Sequence, residues 1–223
     1  MPQDLSERCT ALVAEIGLAK ADEVRGVHPL TGGVASDIAA VELPDQVLVV
    51  KFALEKLKVA EDWRAPVHRN KAEFAWLKFA HSTCPKNAPK VYGWSQALQG
   101  FAMELLHGEH VYQWKDKLLS GAPPDNEAGR VGALLGRLHA ASAMADFDRS
   151  AFQNRDDFRA LRLEPYLTFT ASRHPDLANR LNGLSERLYA SDQVLVHGDV
   201  SPKNILVRDG APILLDAECA TMG

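Results

Sequence analysis

The chain has 223 residues and a mass of 24.4 kDa, with 46% apolar and 24% charged residues. That is enough to bury a substantial core, and it excludes disordered, collagenous and coiled-coil classes. The net charge of −4, with no basic run, argues against bulk nucleic-acid binding. Cys9, Cys84 and Cys219 are scattered and form no C-x-x-C pair, which argues against a disulfide framework or a zinc site. The N-terminus carries Asp4 and Glu7 and no apolar signal region, and no apolar run reaches the length of a membrane span. The expectation is a soluble, cytoplasmic protein.

Leu5, Cys9, Leu12 and Ile16 fall at helical spacing and predict a first helix ending near Gly17. Val24–Leu30, Ile38–Leu43 and the run VLVVKF at 47–52 read as three strands of an antiparallel meander. Residues 53–65 show no clear period, and a helix is predicted over 66–80, opened by Pro66. Two short strands follow, at Pro89–Trp94 and Phe101–Leu105, and a lobe boundary is placed at Leu106, so that residues 1–106 and 107–223 form separate lobes. Beyond it, Val131, Leu134, Leu135 and Leu138 mark one helix face. Further helices are predicted over 156–171 and 176–190. Short strands return at 193–196, 205–207 and 212–215. The outline is a β-rich lobe, a helical lobe and a strand-rich end.

The strongest chemical signal is H-G-D-V-S-P-K-N at 197–204, between two predicted strands and followed by I-L-L-D. By average residue usage, H-G-D-x4-N arises by chance in about one chain in a thousand of this length, so an ordinary loop is the weaker reading. A hairpin centred on Gly210 puts Val207 opposite Ile213 and Asn204 opposite Asp216. Directly opposed residues lie about 5 Å apart. A carboxamide and a carboxylate that close suit a hard cation such as Mg²⁺. Asp199, in the loop leading to the same end, is placed to accept a proton from an attacking hydroxyl. A metallophosphoesterase would need D-x-H and G-N-H elements, and neither occurs.

H-G-D-V-S-P-K-N followed by I-L-L-D-A-E resembles the signature of the aminoglycoside phosphotransferase and choline kinase family, small-molecule relatives of protein kinases. The resemblance implies an α+β, bilobal, protein-kinase-like fold whose mainly helical C-terminal lobe is incomplete. It implies Asp199 as catalytic base, Asn204 and Asp216 as Mg²⁺ ligands, and ATP or GTP as co-substrate. Protein kinases carry a lysine where this loop has Ser201, which implies one cation fewer from the loop at the γ-phosphate. The expected reaction is transfer of the γ-phosphoryl group to a hydroxyl of an aminoglycoside-like or choline-like small molecule. The alternatives are a nucleotide-binding or scaffold module without transfer, and a kinase acting on a protein.

The N-terminal half offers an independent check. Val47, Val49 and Lys51 share a strand face, and a lysine in line with valines needs a partner or a phosphate. Glu73, one turn before Leu77, is the expected partner, with Glu55 and Glu61 as alternatives. The resemblance implies that Lys51, oriented by Glu73, holds the nucleotide phosphates. It also implies that Gly32, Gly33 and Ser36 form a phosphate-covering turn. FAMELLHG at 101–108 resembles the family hinge, with Met103 against the adenine and the Glu104 carbonyl and Leu106 N–H as its partners. Trp63, Arg64, His68 and Arg69 read as a solvated connector. Only seven residues follow Asp216, so the chain is expected to be a fragment that lacks part of the acceptor site and a terminating element.

Overall fold

The computed structural model describes residues 4–30, 35–58 and 64–223. Five strands, β1 (Gly26–Pro29), β2 (Ser36–Glu42), β3 (Val47–Ala53), β4 (Val91–Ser95) and β5 (Gly100–Glu104), form one antiparallel sheet in the order β1-β2-β3-β5-β4. The predicted meander is its first three strands. The alternation in β3 decides what each sheet face does. Leu48, Val50 and Phe52 turn to one face and pack under Cys9, Leu12 and Val13 of helix α1 (Leu5–Glu15). Each such fully buried side chain contributes about 1.5–3 kcal/mol relative to exposure. Val49 turns to the other face and joins a second core with Phe101, Met103 and helix α2 (Arg69–Thr83).

Helix α2 begins three residues later than Pro66 suggests, because turn bonds from Arg69, Asn70 and Lys71 back to Pro66, Val67 and His68 precede its first α-helical turn. Ala72, Trp76, Leu77 and Ala80 are its buried apolar residues. The second core continues into the rest of the chain through Val131, Leu134 and Leu138 of α4 (Glu127–Ser142), and through Leu195, Ile205 and Leu214. It therefore spans both sides of Leu106.

The remaining elements are β6 (Val111–Gln113), α3 (Trp114–Leu119), α5 (Arg155–Phe158), a π-helical stretch (Arg159–Thr168), α6 (Phe169–Arg173), α7 (Ala178–Ala190), β7 (Leu195–Val196), β8 (Ile205–Arg208), β9 (Ala211–Leu214) and β10 (Thr221–Met222). The helix predicted over 156–171 thus changes winding at its centre. Pro165 has no N–H, so an α-helical bond back to Leu161 cannot form there, and the wider turn accommodates the interruption. Neither β6 nor β10 is visible as a periodic run, since each is two or three residues long. In strand β10, Thr221 and Met222 pair with Val196 and Leu195 and are buried.

The hairpin register differs from the predicted one by a residue. Ile205 pairs with Leu214, and Val207 with Pro212 rather than Ile213. The turn is made by two residues, Asp209 (φ 51°) and Gly210 (φ 76°), the positive-φ pair that a right-twisted hairpin favours. Asn204 therefore faces Leu215, whose N–H donates to the Asn204 carbonyl at 2.9 Å. Asp216 leaves the strand at φ 64°, an uncommon backbone state for a non-glycine residue. Gly198 is also left-handed, at φ 82°, and a Cβ there would lie 2.6 Å from the Cys219 carbonyl oxygen. Gly198→Ala is accordingly expected to lower stability by about 2 kcal/mol or more, read as a fall in the urea midpoint at unchanged slope. A midpoint equal to wild type would show that the two loops do not press on each other.

Candidate active site

Strand β3 delivers Lys51 into the space between the sheet and α2, where its side chain is 4% exposed. Its Nζ donates to Glu73 Oε1 at 2.8 Å and to Asp216 Oδ1 at 2.6 Å. The predicted partner is thus present, and a second carboxylate shares the same ammonium. Of the alternatives, Glu55 pairs with Arg64 at 3.2 Å, and Glu61 lies outside the described residues. Burial disfavours the Lys51 charge, but Asp216 and Glu73 outweigh it and raise its pKa above the usual lysine value. Burial pushes Glu73 up to about 7 against the pull of Lys51. Burial also works to raise Asp216, but Lys51 overrides it and holds Asp216 down at about 2.

The H-G-D-V-S-P-K-N loop is anchored by His197, which is buried with its ring edge-on to Trp76 at 4.8 Å. Its Nε2 lies 3.1 Å from the Leu215 carbonyl, and its Nδ1 accepts the Asp199 N–H at 3.3 Å. The hydrogen-bond partners assign the neutral tautomer with the proton on Nε2. Asp199 is half-buried. Its Oδ2 receives Asn204 Nδ2 at 2.9 Å, Arg162 Nη2 at 2.9 Å and Lys203 Nζ at 3.4 Å. Lys203, four residues after Asp199, thus shares this oxygen with Arg162.

Two arginines were not anticipated. Arg69, read as part of a solvated connector, is fully buried. Its Nε donates to Glu218 Oε2 at 2.7 Å, and its other nitrogens bind the carbonyls of Ala65, Pro66, Leu54 and Ala35. His68 beside it reaches Asp157 Oδ2 at 2.8 Å. The available signal was spacing: Arg69 precedes Glu73 by four residues and so shares its helix face. Arg162 comes from the π-helical stretch, and no local pattern in the sequence points to it.

A cavity of about 730 Å³ opens beside these groups, with Arg162 and Lys203 in its wall and Asp199 behind them. Ser36, Lys51, Glu73, Asn204, Asp216 and Glu218 line it, as do Met103, Glu104, Leu105 and Leu106 at the predicted hinge. Gly32 and Gly33 lie outside the described residues. Although Asn204 and Asp216 are not directly opposed in the hairpin, they reach the same cavity. Asn204 donates its amide N–H groups to Asp199, which leaves its amide oxygen as the group available to a cation. Two oxygen donors fit a hard divalent ion that completes its shell with phosphate oxygens and water. Among the described residues, no three His, Cys, Asp or Glu side chains form a closed metal cage.

Burial pushes His197 down to about 4 from an ordinary 6.5. The unfolded chain then takes up the proton first as pH falls. The contribution is complete above about pH 6.5 and is lost on the way down to pH 4, in total ~3 kcal/mol. Protonation at Nδ1 would also remove the acceptor for Asp199 N–H. His197→Gln, which cannot titrate, is expected to flatten the fall of the melting temperature between pH 6.5 and 4. An unchanged pH slope in that variant would assign the acid loss to other groups.

The phosphotransferase enzyme family model matches residues 26–223. Methylthioribose kinase from Cronobacter sakazakii is 24% identical over 204 residues, covering 79% of this chain and 50% of that protein. The chain thus spans about half the length of the curated relatives it matches. The crystal structure of a choline/ethanolamine kinase family protein from Mesorhizobium loti superposes with a TM-score of 0.60 at 18% identity, over 98% of this chain and 66% of that one. Spectinomycin phosphotransferase, crystallised with ADP and spectinomycin, superposes with a TM-score of 0.57 at 12% identity, over 100% of this chain and 71% of that one. The fold is therefore the α+β, protein-kinase-like one that the motifs implied. With the family model covering the sheet and the H-G-D-V-S-P-K-N loop alike, the chain belongs to the phosphotransferase enzyme family.

Proposed function

We propose that the protein transfers the γ-phosphoryl group of ATP, or of GTP, to a hydroxyl of a small molecule in a Mg²⁺-dependent reaction. The observation that carries this reading is the convergence of Lys51, Glu73, Asp216 and Asn204 on one cavity, with Asp199 bonded to Asn204 at its edge. Residues 1–106 would hold the nucleotide, with Met103 against the base and the hinge backbone at Glu104 and Leu106 meeting its edge. Lys51, fixed by Glu73, would hold the phosphates, with Ser36 at the start of β2 and the preceding Gly32 and Gly33 as further phosphate contacts. Residues 107–223 would supply the chemistry. The acceptor oxygen forms a bond to the γ-phosphorus, the bond from that phosphorus to the β–γ bridging oxygen breaks, and the acceptor proton passes to Asp199. Asn204 and Asp216 would hold Mg²⁺, which neutralises charge on the phosphate oxygens. Relatives named for methylthioribose, for choline or ethanolamine and for spectinomycin support a hydroxyl-bearing small molecule as acceptor. Among the described residues, no helix is long and apolar enough to cross a membrane.

A phosphoryl-transfer screen across sugars, amino alcohols and aminoglycosides tests the reading. Asp199→Asn is expected to keep Mg-nucleotide affinity and to lose about 10²–10⁴-fold in kcat. Turnover at the wild-type rate would remove Asp199 from its role, and nucleotide binding with no transfer to any acceptor would favour a binding module.

Lys51→Ala and Glu73→Ala are expected to impair kcat/KM to a similar degree, because each dismantles one positioning unit. The double variant should be clearly less impaired than the two losses combined. Strict additivity would show that the pair does not act together.

A further inference from the structure

Asp199 Oδ2 is crowded by donors from Asn204, Arg162 and Lys203, while among the described residues no donor reaches Oδ1. The two oxygens of this carboxylate are therefore not equivalent. Of the three donors, Arg162 is the one that comes from outside the catalytic loop, and its side chain is 17% exposed. Its own placement follows from the helix that bears it. Pro165 cannot donate to the Leu161 carbonyl, and Arg162 Nη1 donates to that carbonyl at 2.8 Å. With Nη1 held there, Nη2 of the same planar group points at Asp199. Glu218 Oε1 flanks the guanidinium at 3.9 Å. The Leu161 carbonyl, beside the Pro165 interruption, thus anchors one end of the guanidinium and Asp199 the other.

We propose that Arg162 is a positioning residue for phosphoryl transfer: it clamps Oδ2 of Asp199 and leaves Oδ1 as the oxygen that meets the acceptor hydroxyl. This rests on the kinase reading above. Arg162 itself transfers no proton and forms no bond to phosphorus. A carboxylate held only by the flexible loop side chains Asn204 and Lys203 would rotate, and both oxygens would sample the acceptor at poorer alignment. Misplacement of a catalytic group by about 1 Å can cost on the order of a hundredfold in rate.

The test is a double-mutant cycle on the full chain with the acceptor found active in the screen. R162M is expected to lose about 10–100-fold in kcat, with Mg-ATP affinity within about twofold of wild type. In the D199N background the same change is expected to cost little further, because Arg162 acts through Asp199. R162K keeps the charge but cannot hold the Leu161 carbonyl and Asp199 at once, so its kcat is expected to fall between wild type and R162M. It carries the same cycle if R162M does not fold. Losses that add fully in the D199N background, or a weakened nucleotide affinity that accounts for the loss, would mean that Arg162 serves the phosphates or the fold instead, and would overturn the proposal. Wild-type kcat in R162M would overturn it as well, while leaving the kinase reading intact. A wild-type chain that transfers to no acceptor would overturn the kinase reading and this proposal with it.

Discussion

A single buried ammonium sets the terms for the rest of the molecule. Lys51 sits between Glu73 and Asp216 at hydrogen-bond distance from both, almost out of contact with water. Removing a charge from water costs several kcal/mol, and only close, well-aligned partners return it. The sheet must therefore bring β3, α2 and the end of the β8–β9 hairpin to one point. These elements are joined by a continuous apolar core that includes Val49, Trp76, Phe101, Ile205 and Leu214. The apolar packing supplies the stability, and the ammonium requires that the elements pack in this one arrangement.

Arg69 repeats the logic one turn earlier on α2. Its guanidinium reaches Glu218, two residues beyond Asp216, and the carbonyls of Leu54 just after β3 and Ala35 just before β2. Helix α2 thus holds the D-A-E segment by two ion pairs, one through Lys51 and one direct. Loss of either partner of such a buried pair leaves a charge stranded, typically at a cost of about 3–5 kcal/mol. This explains how Asp216 can persist in a left-handed backbone state: the segment is fixed on both sides of it.

What the sequence could show depended on how far apart the interacting residues lie. Lys51 was legible because two valines share its face, and Glu73 because Leu77 marks its turn. The loop at 197–204 was legible as a contiguous motif. The hairpin register was missed by one residue because the turn was centred on Gly210 alone, whereas Asp209 also takes positive φ. Arg69 is separated from Glu218 by 149 residues and Arg162 from Asp199 by 37, and no local period encodes such meetings. The π-helical winding carried a visible cause, Pro165, but its consequence for Arg162 becomes apparent only when the facing loop is in place.

The charge pattern of the site bears on what it can hold. Glu73 and Asp216 share Lys51, Glu218 has Arg69, and Asp199 has Arg162 and Lys203. Each of these carboxylates already has a cation, so Lys51, Arg69, Arg162 and Lys203 are committed to carboxylates before any phosphate is bound. Lys51 can turn toward phosphate oxygens only if Asp216 gains another positive neighbour, because a half-buried carboxylate left unpaired is costly. A divalent cation arriving with a nucleotide would meet both needs, since it would supply charge to the phosphates and a new partner to Asp216. Arg162 in turn lies between Asp199 and Glu218, so the carboxylates of the loop and of the D-A-E segment are matched by the same guanidinium.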